Sequence, residues 1–325
     1  MKKVKSEFFD VPILFIIFLR KDSALRVINA ISKVKPEKLY ISQDGPRNKK
    51  EQAEVLETRK AILSKINWKC QLTVWTHDKN LGLRKHVPEA FNKFFMKEEY
   101  GIYLEDDTLP STDFFYFQRD LLEKYKYDKR IFSINGTNFY PELVNPEKSY
   151  YFSKIGDIWG FGMWKRSWKL YDPDLSDFKS VSKTPKYKSY FFNLRYKYYL
   201  ETFWKAIINK KLDSWAMQLV YAAVKNDKVF IAPKVNMVNN IGVANTASNP
   251  SLQFYNKKFE SPFPLKHPSN VVYDDKYDII YFRNMLKGGW IRIALSNLYL
   301  RFPLRARRVV GGLATQIVKL FDNNE

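Results

Sequence analysis

Three consecutive acidic residues, Glu105, Asp106 and Asp107, directly follow an apolar, strand-like run at residues 100–104. A strand that is buried on both faces excludes charge, so the acids are expected where the strand leaves the sheet, at the edge where open α/β sheets bind ligands. Carboxylate oxygens are ligands of the hard cations Mg²⁺ and Mn²⁺, which keep further coordination positions for phosphate oxygens. The cluster therefore predicts a site for a metal-bridged diphosphate. A solvated acidic turn is the alternative for this tripeptide by itself.

Apolar runs alternate with helical stretches along the first part of the chain. Strands are predicted at residues 11–19, 38–42, 71–75 and 100–104, and helices at 23–34, 49–66 and 84–95. This alternation is typical of βαβ units with a parallel sheet. Parallel strands end on one edge of the sheet, so Arg20, Asp44, Asp106 and the segment at residues 76–79 are expected to meet there.

The second half is less regular. Helices are predicted at 111–125 and 212–224, and short strands at 131–134 and 229–232. Gly160 and Gly162 lie in an aromatic run at 150–168, where the backbone is expected to pass close to something flat or crowded, with ordinary core packing as the alternative. Asp213 or Ser214 is well placed as the N-terminal cap of the helix at 212–224, and this is the structural alternative to a functional role for Asp213.

Composition limits the class of protein. The 325 residues, 45% of them hydrophobic, can bury a full core, and the single Cys70 excludes a disulfide framework. The apolar run at 11–19 is too short to span a bilayer, and no signal-peptide cleavage site follows it. We therefore predict a cytoplasmic protein.

The net charge of +21 is concentrated at residues 172–211 and in the tail at 276–319. In the tail, basic residues alternate with Trp, Tyr and aliphatic residues at helical spacing, which predicts a helix lying on an anionic membrane surface. A tail helix packed on the domain with a solvated basic face is the alternative. Nucleic acid is disfavoured as a partner, because no recognised nucleic-acid motif accompanies the charge. We predict a catalytic domain at 8–270 and a basic amphipathic extension at 271–325, associated peripherally with the inner face of the membrane.

Several short motifs occur in order along residues 8–260. They are Phe18-Leu19-Arg20, Ser42-Gln43-Asp44-Gly45, His86, Leu104-Glu105-Asp106-Asp107, Ile158-Trp159-Gly160-Phe161-Gly162, Asp213-Ser214-Trp215 and Asn240-Ile241-Gly242. The series resembles the GT-A glycosyltransferases of the N-acetylglucosaminyltransferase I type and their bacterial relatives. The resemblance implies an α/β fold, a Rossmann-like mixed sheet flanked by helices, here with a basic helical C-terminal extension.

The resemblance also implies roles for single residues. Asp44 would hydrogen-bond the uracil of a UDP-sugar, Asp106 would contact the ribose or donor sugar, and Asp107 would bind Mn²⁺ (or Mg²⁺) against the diphosphate. Asp213 matches the position of the catalytic base. The remaining residues expected at the donor site are Arg20, His86, Glu105, Trp159 and Gly160. The membrane anchor and the cysteines of animal members have no counterpart here, so the acceptor is not inherited.

The predicted function is inverting transfer of a sugar, GlcNAc foremost, from a UDP-sugar to a hydroxyl of a glycan or lipid-linked glycan in bacterial surface polysaccharide synthesis. Inversion needs a base for the acceptor proton and a Lewis acid for the leaving UDP. One alternative is a nucleotidyltransferase that makes sugar nucleotides, although the segment at 20–23 lacks the glycine-rich loop such enzymes need. The other is a non-catalytic membrane or nucleic-acid binding protein.

Overall fold

The computed structural model describes residues 8–242, 257–286 and 289–301. The strands are β1 (Ile13–Ile17), β2 (Lys38–Gln43), β3 (Gln71–Thr76), β4 (Tyr100–Glu105), β5 (Thr108–Pro110), β6 (Ile131–Asn135), β7 (Tyr150–Ser153), β8 (Phe161–Trp164), β9 (Val229–Pro233) and β10 (Val238–Asn240). The longer helices are α1 (Lys21–Ser32), α2 (Lys49–Leu63), α3 (Leu83–Lys97), α4 (Thr112–Lys124), α8 (Leu194–Ile208), α9 (Ala216–Lys225), α10 (Asp275–Met285) and α11 (Gly289–Arg301). Three short helices lie between α4 and α8: α5 (Lys165–Trp168), α6 (Phe178–Val181) and α7 (Pro185–Tyr190).

Eight strands form one mixed sheet in the order β3-β2-β1-β4-β8-β6-β9-β7, and β5 pairs with β10 in a small second sheet. The first four strands are parallel, as predicted. Strand β8 then runs antiparallel to both β4 and β6, so the second half of the sheet is mixed. The predicted fold class, a mixed α/β sheet flanked by helices, is confirmed.

Strand β1 is central, which explains its uniformly apolar sequence. All five of its residues are buried, and they alternate between two cores. Phe15 packs with α1 and α4 on one face of the sheet. Leu14 packs with α3 and α9 on the other, where the Phe91 ring stacks on Tyr103 at 4.9 Å and on Trp168 at 4.6 Å. Both faces of the sheet are therefore covered at β1, as in other parallel sheets.

The basic region at residues 172–211, which is rich in Lys and Tyr, packs with α9 into a third core formed by α6, α7, α8 and α9. The described part of the tail joins it: Phe282 and Leu286 of the α10 segment and Ile293 of α11 are buried in this core. Asp278 of α10 is also buried and accepts hydrogen bonds from Ser153 Oγ at 2.6 Å and Lys154 N at 2.7 Å. Helices α10 and α11 thus pack on the body of the protein, while the predicted boundary at residue 270 stays a prediction.

None of the helices in the described ranges is long and apolar enough to cross a membrane. The rest of the predicted basic extension, residues 302–325, lies outside the described residues.

Candidate functional site

The acid pair Asp106 and Asp107 lies directly after β4, at the end of the parallel half of the sheet. Strand β1 lies between β2 and β4, so the chain order reverses between β1 and β4, and ligands of open α/β sheets bind at such a reversal. The two strands are paired in register, with Ile16 opposite Glu105, so the residues that follow each strand meet.

Arg20, which follows β1, lies against both acids. Its Nη1 is 2.9 Å from Asp106 Oδ1 and 2.9 Å from Asp107 Oδ2. The backbone N–H of Phe18 donates to Asp106 Oδ2 at 3.0 Å. Both carboxylates are buried, whereas the Arg20 side chain is 57% exposed. The structure therefore brings together three residues that the sequence placed at this edge, with a positive charge already at the acids.

One oxygen of the pair has no partner. Asp107 Oδ1 is buried and makes no hydrogen bond to any residue that the structure describes. The two residues that follow β10 contact the same residue. Ile241 N donates to the Asp107 carbonyl at 2.8 Å, and a Cβ added to Gly242 would lie 2.9 Å from Asp107 Cγ. Burying a carboxylate oxygen without a hydrogen-bond donor costs folding free energy, and a bound cation would offset this cost.

The donor set fits a hard cation that takes most of its ligands from elsewhere. Within the described ranges no group of three His, Cys, Asp or Glu residues could hold a metal ion by itself. Mg²⁺ in particular is often bound through one or two carboxylates, with waters and substrate phosphates supplying the other ligands. Asp107 fits such a site. The predicted metal stays a prediction.

Burial raises the pKa of the two carboxyls that precede Asp107. Burial, together with the charge of Asp107, raises the pKa of Glu105 to about 8, and the Tyr103 hydroxyl donates to Glu105 Oε1 at 2.5 Å. Burial raises the pKa of Asp106 to about 6, against the opposing effect of Arg20. A bound cation would favour the charged forms of these groups.

Asp44, which follows β2, fixes the turn that begins α3. Its Oδ1 accepts hydrogen bonds from Gly45 N and Leu81 N, both at 2.8 Å. Its Oδ2 accepts from Asn80 Nδ2 at 2.9 Å and Gly82 N at 3.0 Å. These four donors match the roughly four lone pairs of a carboxylate. The predicted hydrogen bond to uracil stays a prediction, and it would have to replace one of these contacts.

His86 lies one turn into α3 and is buried against β2. Its Nε2 is 2.8 Å from Ser42 Oγ, and its ring lies edge to face with His77 at 5.5 Å between centroids. Burial lowers the pKa of His86 to about 4, so the imidazole is neutral near pH 7. His86 therefore joins the first part of α3 to β2. Its predicted proximity to the phosphates stays a prediction.

Asp213 lies on the other side of the same turn. A Cβ added to Gly82 would be 3.8 Å from Asp213 Oδ2. The cap of α9 is provided by Ser214, whose Oγ accepts from Met217 N at 3.3 Å, while the adjoining Trp215 ring is buried against Tyr103. Asp213 is exposed, and its carboxylate has no hydrogen-bond partner among the residues that the structure describes. The capping alternative thus applies to its neighbour.

The loop before β8 carries Trp159 and Gly160. The Trp159 ring packs edge to face on Phe139 at 5.3 Å, and Gly160 has a φ of 70°, which favours glycine. Asp157 fixes this loop by accepting from the Ile158 and Trp159 amides at 2.6 and 3.1 Å, and burial raises its pKa to about 6. Asp157 is not among the site residues predicted from the sequence, although it is an isolated acid in an otherwise aromatic and glycine-rich run.

No family model matches the chain, and no curated protein matches it. Among solved structures, UDP-glucose pyrophosphorylase in complex with UDP-glucose aligns at 12% identity over 76% of this chain and 97% of that chain, with a TM-score of 0.41. HddC from Yersinia pseudotuberculosis aligns at 11% identity over 48% of this chain and 77% of that chain, with a TM-score of 0.30. The 4-diphosphocytidyl-2C-methyl-D-erythritol synthase from Anaerococcus prevotii aligns at 10% identity over 55% and 79%, with a TM-score of 0.29.

Proposed function

We propose that this chain is an inverting, metal-dependent glycosyltransferase that uses a UDP-sugar, UDP-GlcNAc foremost, and a hydroxyl acceptor. The observation that carries the proposal is the opposite environment of two acids, Asp107 after β4 and Asp213 beside Gly82 of the turn that begins α3. Asp107 is buried with an unpartnered oxygen next to a cation, whereas Asp213 is exposed with a free carboxylate. These are the environments that a metal ligand and a general base require.

Each residue then has a separate task. Asp107 would hold Mn²⁺ or Mg²⁺, which when bound neutralises charge on the leaving diphosphate. Arg20, more than half exposed, offers its guanidinium to phosphate oxygens from the same edge. Asp213 accepts the proton of the acceptor hydroxyl as that oxygen attacks the anomeric carbon, a role worth about 10² to 10⁴ in rate.

The acceptor we propose is a glycan or lipid-linked glycan of surface polysaccharide synthesis, handled at the inner face of the membrane. What supports this setting is the basic excess of the chain, +21 in total, which suits an anionic surface. The absence of a recognised nucleic-acid motif disfavours a nucleic-acid partner.

Sugar-nucleotide formation is the second candidate. Arg20 and Lys21 are consecutive cations at the start of α1, and they suit a triphosphate as well as a diphosphate. Arg20 contacts the carboxylate pair, whereas Lys21 pairs with Glu57 at 2.5 Å. The link from β1 to α1 has only three residues, Phe18, Leu19 and Arg20, and contains no glycine. This favours glycosyl transfer over nucleotidyl transfer, which usually holds a triphosphate on a longer glycine-rich loop.

A substrate panel tests both candidates. Glycosyl transfer predicts Mn²⁺-dependent UDP release and thermal stabilisation with one UDP-sugar, lost in Asp107→Asn and kept in Glu99→Gln, an exposed acid away from the site. Pyrophosphate release from UTP plus a sugar 1-phosphate would establish the second candidate instead. A chain that binds neither nucleotide with Mn²⁺ would refute both and leave a non-catalytic binding protein.

A further inference from the structure

Two helices, α8 and α11, pack side by side at the surface of the third core. The Tyr198 and Trp290 rings lie edge to face at 5.4 Å, and Asn297 Nδ2 donates to Thr202 Oγ1 at 2.9 Å. The inward sides of the helices are already occupied, because Trp204 and Ile293 are buried. Any apolar side chain still exposed on this pair is therefore surplus to the packing of the fold.

Several large apolar side chains remain exposed there. The described residues include fourteen exposed large hydrophobic side chains, and five lie on these two helices: Leu194, Tyr198, Ile208, Trp290 and Leu298, at 64, 46, 40, 47 and 48% exposure. The three on α8 are spaced four and ten residues apart, which places them on one side of the helix. The Tyr198–Trp290 contact joins this side to α11. We name these five residues the α8–α11 face.

The charge around this face is positive. Glu201 of α8 is buried between Lys197 and Lys205, at 3.7 and 3.0 Å, so its charge is neutralised. Arg195 lies beside the first residue of α11, which contains no acidic residue. Asn209, Lys210 and Lys211 continue the polar, basic border beyond α8.

We propose that the α8–α11 face docks on an anionic lipid bilayer. Tyr198 and Trp290 have the amphipathic rings that lie at the headgroup level, and Leu194, Ile208 and Leu298 add apolar area for the acyl region. The basic border matches anionic headgroups. Aliphatic side chains gain nothing from phosphates or bases, so the composition favours lipid over nucleic acid.

The surface of the protein that we propose binds the bilayer differs from the one that the sequence alone suggests. The sequence assigns the membrane contact to the tail, but Phe282, Leu286, Ile293 and Leu300 face inward. The docking surface is instead shared with α8, a helix of the basic region at residues 172–211, and the fold is what makes it continuous.

Flotation with vesicles of phosphatidylcholine, with or without an equal part of phosphatidylglycerol, tests the proposal on the full chain without nucleotide. The wild type is expected to float with the anionic vesicles only, and less so at high salt. Replacing Leu194, Tyr198, Trp290 and Leu298 with Ser should weaken partitioning by about tenfold or more. Replacing Arg195, Lys210 and Lys211 with Glu should weaken it by about 100-fold or more.

Matched variants serve as controls. Leu72, Met96, Tyr127 and Leu143 are exposed at other places, and replacing them with Ser removes similar apolar area. These variants should float like the wild type. The proposal is overturned if the face variants float normally, which would assign binding to another segment. It is also overturned if the wild type is a dimer in solution that the Ser variants dissociate, because the face would then bind a second copy. Since no nucleotide is present, neither result depends on the proposed enzymatic activity.

Discussion

At the scale of single residues, the site depends on how two aspartates differ in solvation. Asp107 is buried with an oxygen that lacks a donor, and Asp213 is exposed with no partner in the described structure. A carboxylate in the first environment gains from a cation, and one in the second is free to accept a proton. Neither property follows from residue type, since both are aspartates.

We expect Asp213→Asn to leave UDP-sugar affinity near that of the wild type and to lower kcat by about 10² to 10⁴, because only the transition state needs the proton acceptor. Steady-state kinetics with the donor identified in the panel measures this. Ser214→Ala is the matched control: it removes the helix cap, at about 1 kcal/mol of stability, and should retain turnover. Normal turnover in Asp213→Asn would refute the role of the base.

Gly242→Ala should weaken Mn²⁺-dependent UDP binding, by about tenfold or more, because the added methyl group meets the Asp107 carboxylate and must displace it. Calorimetry with UDP and Mn²⁺ measures the affinity. The double variant with Asp107→Asn provides the control, since two changes that act on the same ligand are not additive. Additive losses would show that Gly242 acts elsewhere.

At the scale of secondary structure elements, α10 is attached to the body by a buried carboxyl. Burial raises the pKa of Asp278 to about 7, although hydrogen bonds from Ser153 Oγ and Lys154 N lower it in part. The folded protein therefore holds a proton that the unfolded chain, with an ordinary Asp pKa near 4, has released. Its contribution to stability is fully present below about pH 4 and is lost as the pH rises through about 7.

We expect the unfolding free energy of the wild type to fall, on the order of a few kcal/mol, between pH 4 and pH 8 from this group, and Asp278→Asn to show a flatter profile. Denaturant unfolding at several pH values measures the slope. Asp275→Asn, an exposed acid on the same helix, should keep the wild-type slope. Equal slopes in the wild type and Asp278→Asn would contradict the assignment.

Removal of residues 275–325 should destabilise the whole protein. The buried side chains of Tyr281, Phe282 and Leu286 would leave apolar partners exposed, and each such side chain contributes about 1.5 to 3 kcal/mol when fully buried. A fall in Tm by thermal denaturation measures the effect. The Ser variants of the α8–α11 face should lower Tm less, since each of those side chains is already about half exposed or more. A truncated chain as stable as the intact one would show that α10 and α11 form a dispensable appendage.

At the scale of the whole molecule, the site lies where the order of the strands in the sheet reverses, between β1 and β4. Strands β2 and β3 extend the sheet on one side of β1, and β4 extends it on the other. The reversal brings Arg20 against acids 86 and 87 positions further along the chain. The same architecture places the α8–α11 face on the third core.

The sequence by itself determined the parallel half of the sheet and which residues stand at its edge. Hydrophobic periodicity is a local property, and charge is disfavoured inside a strand buried on both faces, so Arg20, Asp44 and the acid pair were expected beyond the ends of β1, β2 and β4, where they lie. The expected meeting of Asp44 with the other three residues stays a prediction. The antiparallel position of β8 was not predicted, because pairing depends on contacts distant in sequence.

Only the tertiary structure decided how those residues are used. It showed Asp44 holding the turn at 80–82, Ser214 rather than Asp213 capping α9, and Asp157 fixing the loop before β8. It also turned much of the apolar side of the tail inward and joined the remainder to α8. These outcomes depend on which elements the chain packs side by side, and burial and hydrogen-bond partners come from segments far apart in the sequence.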